Sequence, residues 1–299
     1  MSFSGANRRG IFAIVVATGV FTTNDSIVKL VARQAPLGEV LFVRGIMATL
    51  LLASILVGLG HLRTLPLVLK PLVLARSGLE ALATVLFTTA LLHMPIAELS
   101  TVTSVSPLII TALAVWMFGE IVGWRRWTAI AVGMVGTLFL VKPTPASFDA
   151  WALLGLLCAL CSATRDLLTR RLDPHVPTIA VSLMAAVAVM IAGALLGLGE
   201  SWRPMRAGET GLLAIAAVFL AAGNFLSVLA FRGVDVSVIA PFRYSLLIWA
   251  GLAGFVVFGE IPDGWSILGA ALIGGSGIYA FHREAVRGRA VASRIPPEQ

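Results

Sequence analysis

The chain has 299 residues, of which 58% are hydrophobic and only 12% are charged. Soluble domains carry about 25% charged residues, so this chain has too few polar side chains to cover a surface that faces water. The net charge of +7 does not indicate a nucleic-acid partner, because the basic residues cluster in short segments between apolar runs. Composition therefore predicts an integral membrane protein without a sizeable soluble domain.

Apolar runs follow one another along most of the chain, and a helix that spans a bilayer needs about 20 such residues. The predicted spans are 10–31, 38–58, 71–92, 97–118, 124–141, 150–169, 178–198, 211–231, 237–258 and 265–281. Backbone groups in hydrocarbon must find hydrogen bonds within the protein, so these segments are expected to be helices. The predicted fold class is all-α, with ten transmembrane helices in a multi-pass protein of the bacterial cytoplasmic (inner) membrane.

Loop Lys and Arg residues fall mainly on one side of this arrangement, as Arg125 and Arg126 do. Because loops rich in Lys and Arg remain in the cytoplasm, both termini are expected to be cytoplasmic. The first span is also expected to be retained, because its apolar run is longer than the apolar region of a signal peptide.

The chain contains signs of an internal repeat. The sequence Phe-Gly-Glu-Ile occurs at 118–121 and again at 258–261, each time at the end of a predicted helix. Near the start of each half, Asp25 matches Asp166 at nearly the same spacing. Five spans per half is an odd number, so the two halves are expected to cross the membrane in opposite senses. The predicted units are a tail (1–9), a first repeat (10–141), a linker (142–149), a second repeat (150–282) and a tail (283–299).

Ten helices with short loops, two inverted halves and a Gly-Glu pair after the fourth helix of each half resemble the drug/metabolite transporter superfamily, in particular its EamA-type exporters. Pro107, which precedes Gly119 in the fourth helix, fits the same pattern. The resemblance implies a substrate cavity at the midplane, lined by the first, third, fourth, sixth, eighth and ninth helices, and transport by alternating access. General similarity within the family favours the aromatic-amino-acid exporters.

Glu80 lies near the midpoint of the third span, with Arg76 and Thr84 one turn away on the same helical face. A charge at this depth costs about 2.5–3.5 kcal/mol on insertion scales, so it indicates a water-filled pathway or a buried partner. The pattern predicts either a polar strip in which Glu80 binds a substrate ammonium or a proton, or an Arg76–Glu80 pair that fixes helix packing.

Four residues of the second half are further candidates for substrate binding. Asn224 corresponds to Thr84 in the repeat and is expected to bind substrate or a neighbouring helix through its amide. Arg243 is able to hold a carboxylate with two hydrogen bonds, and Tyr244 is expected to pack beside it. Trp249 lies deeper than the other tryptophans, which are placed near predicted helix ends.

Two pairs at repeat-related positions, Asn24 with Asp25 and Arg165 with Asp166, lie toward opposite membrane faces. They are expected to act as alternating gates, or as groups at helix ends that reach for the interface. Arg44 is expected to pair with an acid on a neighbouring helix.

Pro107 and Pro241 remove backbone hydrogen bonds inside predicted helices, and such breaks mark binding sites or hinges in transporters. Ser104 and Ser106 are expected to satisfy part of the backbone that Pro107 leaves without a partner.

The predicted function is secondary export of aromatic and other neutral amino acids, or of related small metabolites. Alternatives are export of nucleobases or sugars by the same type of protein and, more distantly, a membrane-embedded enzyme. The sequence has no Walker-type motif and neither His-Glu-x-x-His nor Gly-x-Ser-x-Gly. No cofactor, metal or catalytic residue is expected.

The expected partners are a small-molecule substrate and the lipid bilayer. Gly193 and Gly197 have small-xxx-small spacing, for which internal packing is favoured over dimerisation, so a monomer is expected. Cys158 and Cys161 are expected to be core residues rather than a redox or zinc pair.

Overall fold

The computed structural model describes residues 5–93, 96–119, 123–141, 150–232, 234 and 239–258, with a few single positions between 264 and 275. Its α-helices are α1 (Gly5–Ala32), α2 (Leu37–Gly58), α3 (Pro71–His93), α4 (Ile96–Thr103), α5 (Ser106–Phe118), α6 (Trp124–Val141), α7 (Ala150–Arg170), α8 (Thr178–Leu196), α9 (Ala207–Phe231) and α10 (Ser245–Phe258). Short 3-10 helices occupy His61–Leu69, Gly197–Gly199 and Ala240–Tyr244. No strand occurs in these described ranges, which confirms the all-helical fold class.

Six of the described helices are long and apolar enough to cross a bilayer, namely α1, α2, α3, α7, α8 and α9. Helices α5 and α10 are shorter apolar segments. Hydropathy predicted these helices, and their ends lie within about five residues of the predicted ones. The ends differ because capping and loop contacts decide the last turn of a helix. Most of the predicted tenth span, the linker 142–149 and the tail 283–299 lie outside the described residues.

The predicted fourth span is two helices rather than one, because the chain turns between α4 and α5. Pro107 follows the first residue of α5 and has no N–H to donate to the carbonyl of Thr103, four residues earlier. The Oγ of Ser106 donates to that carbonyl at 2.7 Å, and the Oγ of Ser104 donates to the Ser100 carbonyl at 2.6 Å. Ser106 therefore does what was predicted of it, whereas Ser104 donates to a carbonyl that already accepts from the Ser104 backbone N–H. Gly119 ends α5 with a left-handed backbone, at a φ of 63°.

The predicted ninth span is also interrupted, at the corresponding place in the second half. The 3-10 helix Ala240–Tyr244 precedes α10, and Pro241 lies in its first turn. Each half of the chain therefore contributes one discontinuous helix, as the prolines predicted.

The main packing contacts join the two halves. Helix α1 packs along α9, and its repeat counterpart α7 packs along α3. Helix α2 packs along α8, which is its own counterpart in the repeat. The first turn of α2 meets the end of α8, whereas Gly45, further along α2, meets Met190. The counterpart helices α2 and α8 thus run antiparallel, which agrees with the inverted arrangement expected from an odd number of spans.

Glycines allow α2 and α8 to approach closely. A Cβ atom on Gly193 would lie 2.6 Å from the backbone nitrogen of Phe42, and one on Gly38 would lie 2.4 Å from that of Gly197. Any larger residue would push the two helices apart. The small-xxx-small pair at positions 193 and 197 therefore serves packing inside the chain, as predicted.

Candidate functional site

A cavity of approximately 1020 Å³, measured to its open mouth, lies between the two halves. It is lined by residues of α1, α3, α4, α5, α7, α9 and α10 and of the 3-10 helix before α10, together with Arg44 of α2. These are the six predicted spans that the family resemblance implied, with α2 in addition.

Glu80 of α3 lies in the cavity wall between two arginines. Both oxygens of its carboxylate accept from Arg165 Nη1 of α7, at 3.0 and 2.9 Å. Arg76 Nη2 lies 3.1 Å from Glu80 Oε2, one helical turn away. Arg76 is fully buried, and its Nε donates to Thr169 Oγ1 at 3.4 Å. The Arg76–Glu80 pair expected from the sequence is present, and it includes a second guanidinium from the other half.

Asp166 extends this set of charges toward the ninth span. Arg165 donates to Asp166 Oδ1 from Nε at 2.9 Å, and its Nη2 lies 2.8 Å from the same oxygen. The other oxygen of Asp166 accepts from Arg243 Nη1. We call Arg76, Glu80, Arg165, Asp166 and Arg243 the five-residue network. It links α3, α7 and the 3-10 helix of the ninth span, so it joins both halves of the protein.

A second polar cluster lies on the side of α1 and α2. Asn24 is buried, and its Nδ2 donates to Asp25 Oδ1 at 2.9 Å, while its Oδ1 accepts from Arg44 Nη1 at 3.0 Å. Arg44 is 1% exposed, and all three residues line the cavity. We call these residues the Asn24 cluster. Among the described residues, no ion pair joins it to the five-residue network.

Hydroxyl groups and apolar side chains complete the lining. Thr84 Oγ1 donates to the Glu80 carbonyl at 2.8 Å, and Thr18 Oγ1 lies 2.8 Å from Ser245 Oγ, where α1 meets α10. Phe21 and Phe87 contribute aromatic rings. The cavity therefore offers charge, hydrogen bonds and apolar surface together, the combination that an amphipathic ligand requires.

Three residues predicted to bind substrate are not among the lining residues. Tyr244 is buried and donates from its hydroxyl to the Ile130 carbonyl at 3.1 Å. Trp249 donates from Nε1 to the Val15 carbonyl at 2.9 Å, and its ring packs on Gly19. These bonds fix α10 against α6 and α1. The position of Tyr244 and Trp249 within the ninth span predicted that they are buried, but not toward which neighbouring helix their side chains point.

Asn224, the third of these, is fully buried, and neither Nδ2 nor Oδ1 has a hydrogen-bond partner in the described part of the chain. Leu220 and Ser227 of α9 flank it and line the cavity. Asn224 therefore shares the helical face that borders the cavity, and the interhelical hydrogen bond expected as its alternative is not found among the described residues.

Two residues that line the cavity were not predicted to do so from the sequence. Arg44 was expected only to pair with an acid, whereas the structure places it in the cavity with an amide as its hydrogen-bond partner. Cys158 is a buried free thiol, as expected of a core residue, and it also lines the cavity. The depth of Arg44 in the second span was a signal that it could line the cavity, whereas nothing in the sequence indicated this for Cys158. In the described ranges, no three His, Cys, Asp or Glu side chains are grouped to hold a metal ion.

Charged loops outside the spans connect the halves at one end of the bundle. Lys70 Nζ lies 2.6 Å from Asp173 Oδ2, and the other oxygen of Asp173 accepts from the backbone N–H and the ring of His175. The Lys70 ammonium and then these His175 donors hold the pKa of Asp173 well below its ordinary value. Partial burial lowers the pKa of Arg232, which donates to the Asp173 and Val176 carbonyls nearby.

Known proteins of similar sequence are transporters. The pseudopaline exporter of Pseudomonas aeruginosa is 26% identical over 268 residues, which cover 89% of this chain and 93% of that protein. The riboflavin transporter of Rhizobium johnstonii is 30% identical over 224 residues, covering 74% and 72%. The S-adenosylmethionine uptake transporter of Rickettsia bellii is 27% identical over 194 residues, covering 64% and 66%.

The fold is similar to that of a solved crystal structure, with a TM-score of 0.73 and 19% identity, over 94% of this chain and 98% of the other. The EamA-like transporter family matches the sequence twice, over residues 8–142 and 149–280. The two matches coincide with the two halves that the sequence repeat predicted. The chain is a multi-pass integral membrane protein, and it belongs to the EamA-like transporter family of the drug/metabolite transporter superfamily.

Proposed function

We propose that the protein is a secondary transporter that exports amino acids, aromatic and other neutral ones, or closely related small metabolites. The observation that carries this proposal is the cavity between the two repeats, in which buried charged groups and aromatic rings border the same space. Cavities with a few convergent polar groups in an apolar wall are typical of small-molecule sites.

The chemistry of the lining favours a substrate with both charges and an apolar part. Arg44, Asp25 and the members of the five-residue network that line the cavity supply cationic and anionic groups; those members are Glu80, Arg165 and Arg243. Phe21 of α1 and Phe87 of α3 supply apolar surface. An aromatic amino acid carries a carboxylate, an ammonium and a ring, so it matches all three features.

The relatives support transport and leave the substrate open. Their names cover pseudopaline, riboflavin and S-adenosylmethionine, and they include both an exporter and an uptake protein. Among these, the S-adenosylmethionine transporter handles a molecule with an amino-acid end. The pseudopaline exporter matches 89% of this chain, which supports export as the direction.

Within this proposal, the predicted site residues have different roles. Thr84 lines the cavity and Asn224 borders it, and both are proposed to contact substrate. The carboxylate of Glu80 is already bound by two guanidiniums, so it is proposed to hold α3 against α7. Arg165, Asp166 and Arg243 complete that link, and the breaks near Pro107 and Pro241 are proposed as hinges.

Alternating access is proposed as the mechanism, since two inverted repeats provide two related arrangements around one site. Both termini are proposed to lie in the cytoplasm of a bacterium, with the protein a monomer in the cytoplasmic membrane. Gradients, rather than ATP hydrolysis by this chain, are proposed to drive transport.

Reconstituted liposomes test the proposal. Purified protein is expected to move radiolabelled phenylalanine, tyrosine or leucine faster than protein-free liposomes do, and unlabelled substrate is expected to compete. A competition panel that includes nucleobases, sugars and riboflavin separates the proposed substrates from the alternatives. Flux equal to that of empty liposomes for every amino acid would reject the proposed substrate class.

A further inference from the structure

We propose that the Asn24 cluster is the subsite for the charged end of the substrate, in which Arg44 binds the carboxylate and Asp25 binds the ammonium of an α-amino acid. This inference rests on the proposed function and specifies the site at which it acts. It assigns the substrate's carboxylate to Arg44 instead of Arg243.

Arg44 has an unused edge that is suited to a carboxylate. Its Nη1 donates to Asn24 Oδ1, but Nε and Nη2 have no hydrogen-bond partner among the described residues. These two nitrogens form one side of the planar guanidinium, the side that binds a carboxylate with two parallel hydrogen bonds. Buried donors without partners are costly, so an anionic ligand at this edge would satisfy groups that the protein leaves free.

The other guanidiniums that line the cavity are already engaged by carboxylates. Arg165 directs Nε and Nη2 to Asp166 and Nη1 to Glu80. Arg243 donates to Asp166 through Nη1. A substrate carboxylate at either arginine would displace a carboxylate of the protein from a hydrogen bond, whereas among the described residues no carboxylate is hydrogen-bonded to Arg44.

The repeat explains why Asp25 is available for an ammonium. Its counterpart Asp166 is bound by Arg165 and Arg243. At the positions that correspond to these two arginines, the first half has Asn24 and Thr103. Asp25 therefore lacks both cationic partners, and the hydrogen bond it accepts comes from the neutral amide of Asn24.

The amide of Asn24 bridges the two residues, since it donates to Asp25 Oδ1 at 2.9 Å and accepts from Arg44 Nη1 at 3.0 Å. Both side chains lie in the cavity lining, so a substrate that carries both charges can contact both.

An apolar wall lies next to this cluster. Phe21 is one helical turn before Asp25 on α1, lines the cavity and packs on Gly223 of α9. Leu220, one turn from that glycine, also lines the cavity. A substrate held by its charged end at Asp25 and Arg44 would have its side chain against this apolar wall, so large neutral amino acids are the class that fits.

A ligand series on the wild-type protein tests the inference directly. Binding is measured by isothermal titration calorimetry in lipid nanodiscs for L-phenylalanine, for phenethylamine, which lacks the carboxylate, and for 3-phenylpropionate, which lacks the ammonium. Each truncated ligand is expected to bind at least about tenfold more weakly, because a pair of charge-assisted hydrogen bonds or an ammonium contact is lost.

Two variants assign the groups. Arg44→Gln is expected to reduce the affinity for L-phenylalanine about tenfold and to leave that for phenethylamine unchanged. Asp25→Asn is expected to do the same for L-phenylalanine and to leave 3-phenylpropionate unchanged. Arg63→Gln, which removes an exposed arginine, serves as the control and is expected to alter none of the three affinities.

The possible outcomes separate the subsite from the proposed function. Equal wild-type affinities for L-phenylalanine and phenethylamine would overturn the carboxylate subsite while leaving amino-acid transport in place. A uniform loss for all three ligands in Arg44→Gln would overturn the assignment to Arg44. Wild-type protein that binds none of the ligands would overturn the proposed substrate class and the subsite with it. If Arg44→Gln does not fold, the wild-type series decides the question alone.

Discussion

Replacement of Glu80 by glutamine distinguishes a structural part for this carboxylate from a part in substrate binding. The change keeps the size of the side chain and removes its charge. Three contacts lose their ionic character, two with Arg165 Nη1 at 3.0 and 2.9 Å and one with Arg76 Nη2 at 3.1 Å. The side chains of all three residues are at most 7% exposed, so water does not replace the lost charge.

The two arginines are affected to different degrees. Arg165 retains its contacts with Asp166, whereas Arg76 retains among the described residues only the long bond from Nε to Thr169. Removing one partner of a buried ion pair costs about 3–5 kcal/mol, because a charge is left uncompensated. Glutamine keeps one acceptor oxygen, so the expected loss for Glu80→Gln is near the lower end, about 3 kcal/mol.

Equilibrium unfolding in mixed detergent micelles measures this loss, and flux is measured on the same preparations. If Glu80 holds α3 against α7, the variant unfolds more easily and each folded molecule retains its flux. The matched control is Asp173→Asn, which breaks an exposed pair with Lys70 and is expected to change stability much less. Wild-type stability together with abolished flux would refute the structural interpretation and indicate that Glu80 contacts the substrate.

Three further predictions concern separate residues. In a Cys161→Ser background, transported substrate is expected to slow the reaction of Cys158 with a small thiol reagent, since Cys158 lines the cavity; unchanged rates would place the substrate elsewhere. Asn224→Leu is expected to raise stability by about 1 kcal/mol, since it removes a buried amide without partners, and to lower flux; a loss of stability would reveal a partner for this amide. The lowered pKa of Asp173 predicts that its contribution to stability is constant at neutral pH and is lost only as the pH falls below the ordinary value of 3.8 toward the folded pKa; melting of wild type and Asp173→Asn across pH 3 to 8 measures this, and a difference that already declines near pH 6 would contradict it.

The fold was largely predictable because hydrophobic length is set by the bilayer and does not depend on tertiary contacts. Long apolar runs identified the spans, and Pro107 and Pro241 identified the two interruptions, since proline removes a hydrogen bond wherever it lies in a helix. The packing of α1 along α9 and of α7 along α3 was not predicted, because it depends on which faces of different helices fit together.

The site was predictable in residue type but not in pairing. The cost of charge in the membrane identified Glu80, Arg165 and Asp166 as inward-facing groups. One sequence does not reveal which charges satisfy one another and which have donors to spare. That difference depends on the three-dimensional position of each guanidinium, and it separates Arg44 from Arg165.

The two ends of the bundle are joined by different chemistry. At the end where α2 begins, Glu200 accepts from the backbone N–H of Gly38 at 2.9 and 3.2 Å, and Arg203 donates to the Gln34 carbonyl at 3.0 and 2.9 Å. These hydrogen bonds connect a loop of the second half to backbone groups of the first. At the opposite end, where α3 begins, the halves are joined by the exposed Lys70–Asp173 pair and by a bond from Arg171 to the Met117 carbonyl.

In the proposed mechanism, opening each end requires separating its own set of contacts. The Glu200 carboxylate at the start of α2 accepts from the backbone N–H of Gly38 and is stabilised by the helix dipole. The exposed pair at the start of α3 is weak in water and is screened by salt. In the proposed mechanism we therefore expect the α3 end to open at a lower cost in free energy than the α2 end, even though the repeat gives the two ends related helices. A transporter built from two similar halves thus acquires a preferred resting state from its loops, and substrate bound between the halves must supply the difference to reach the other state.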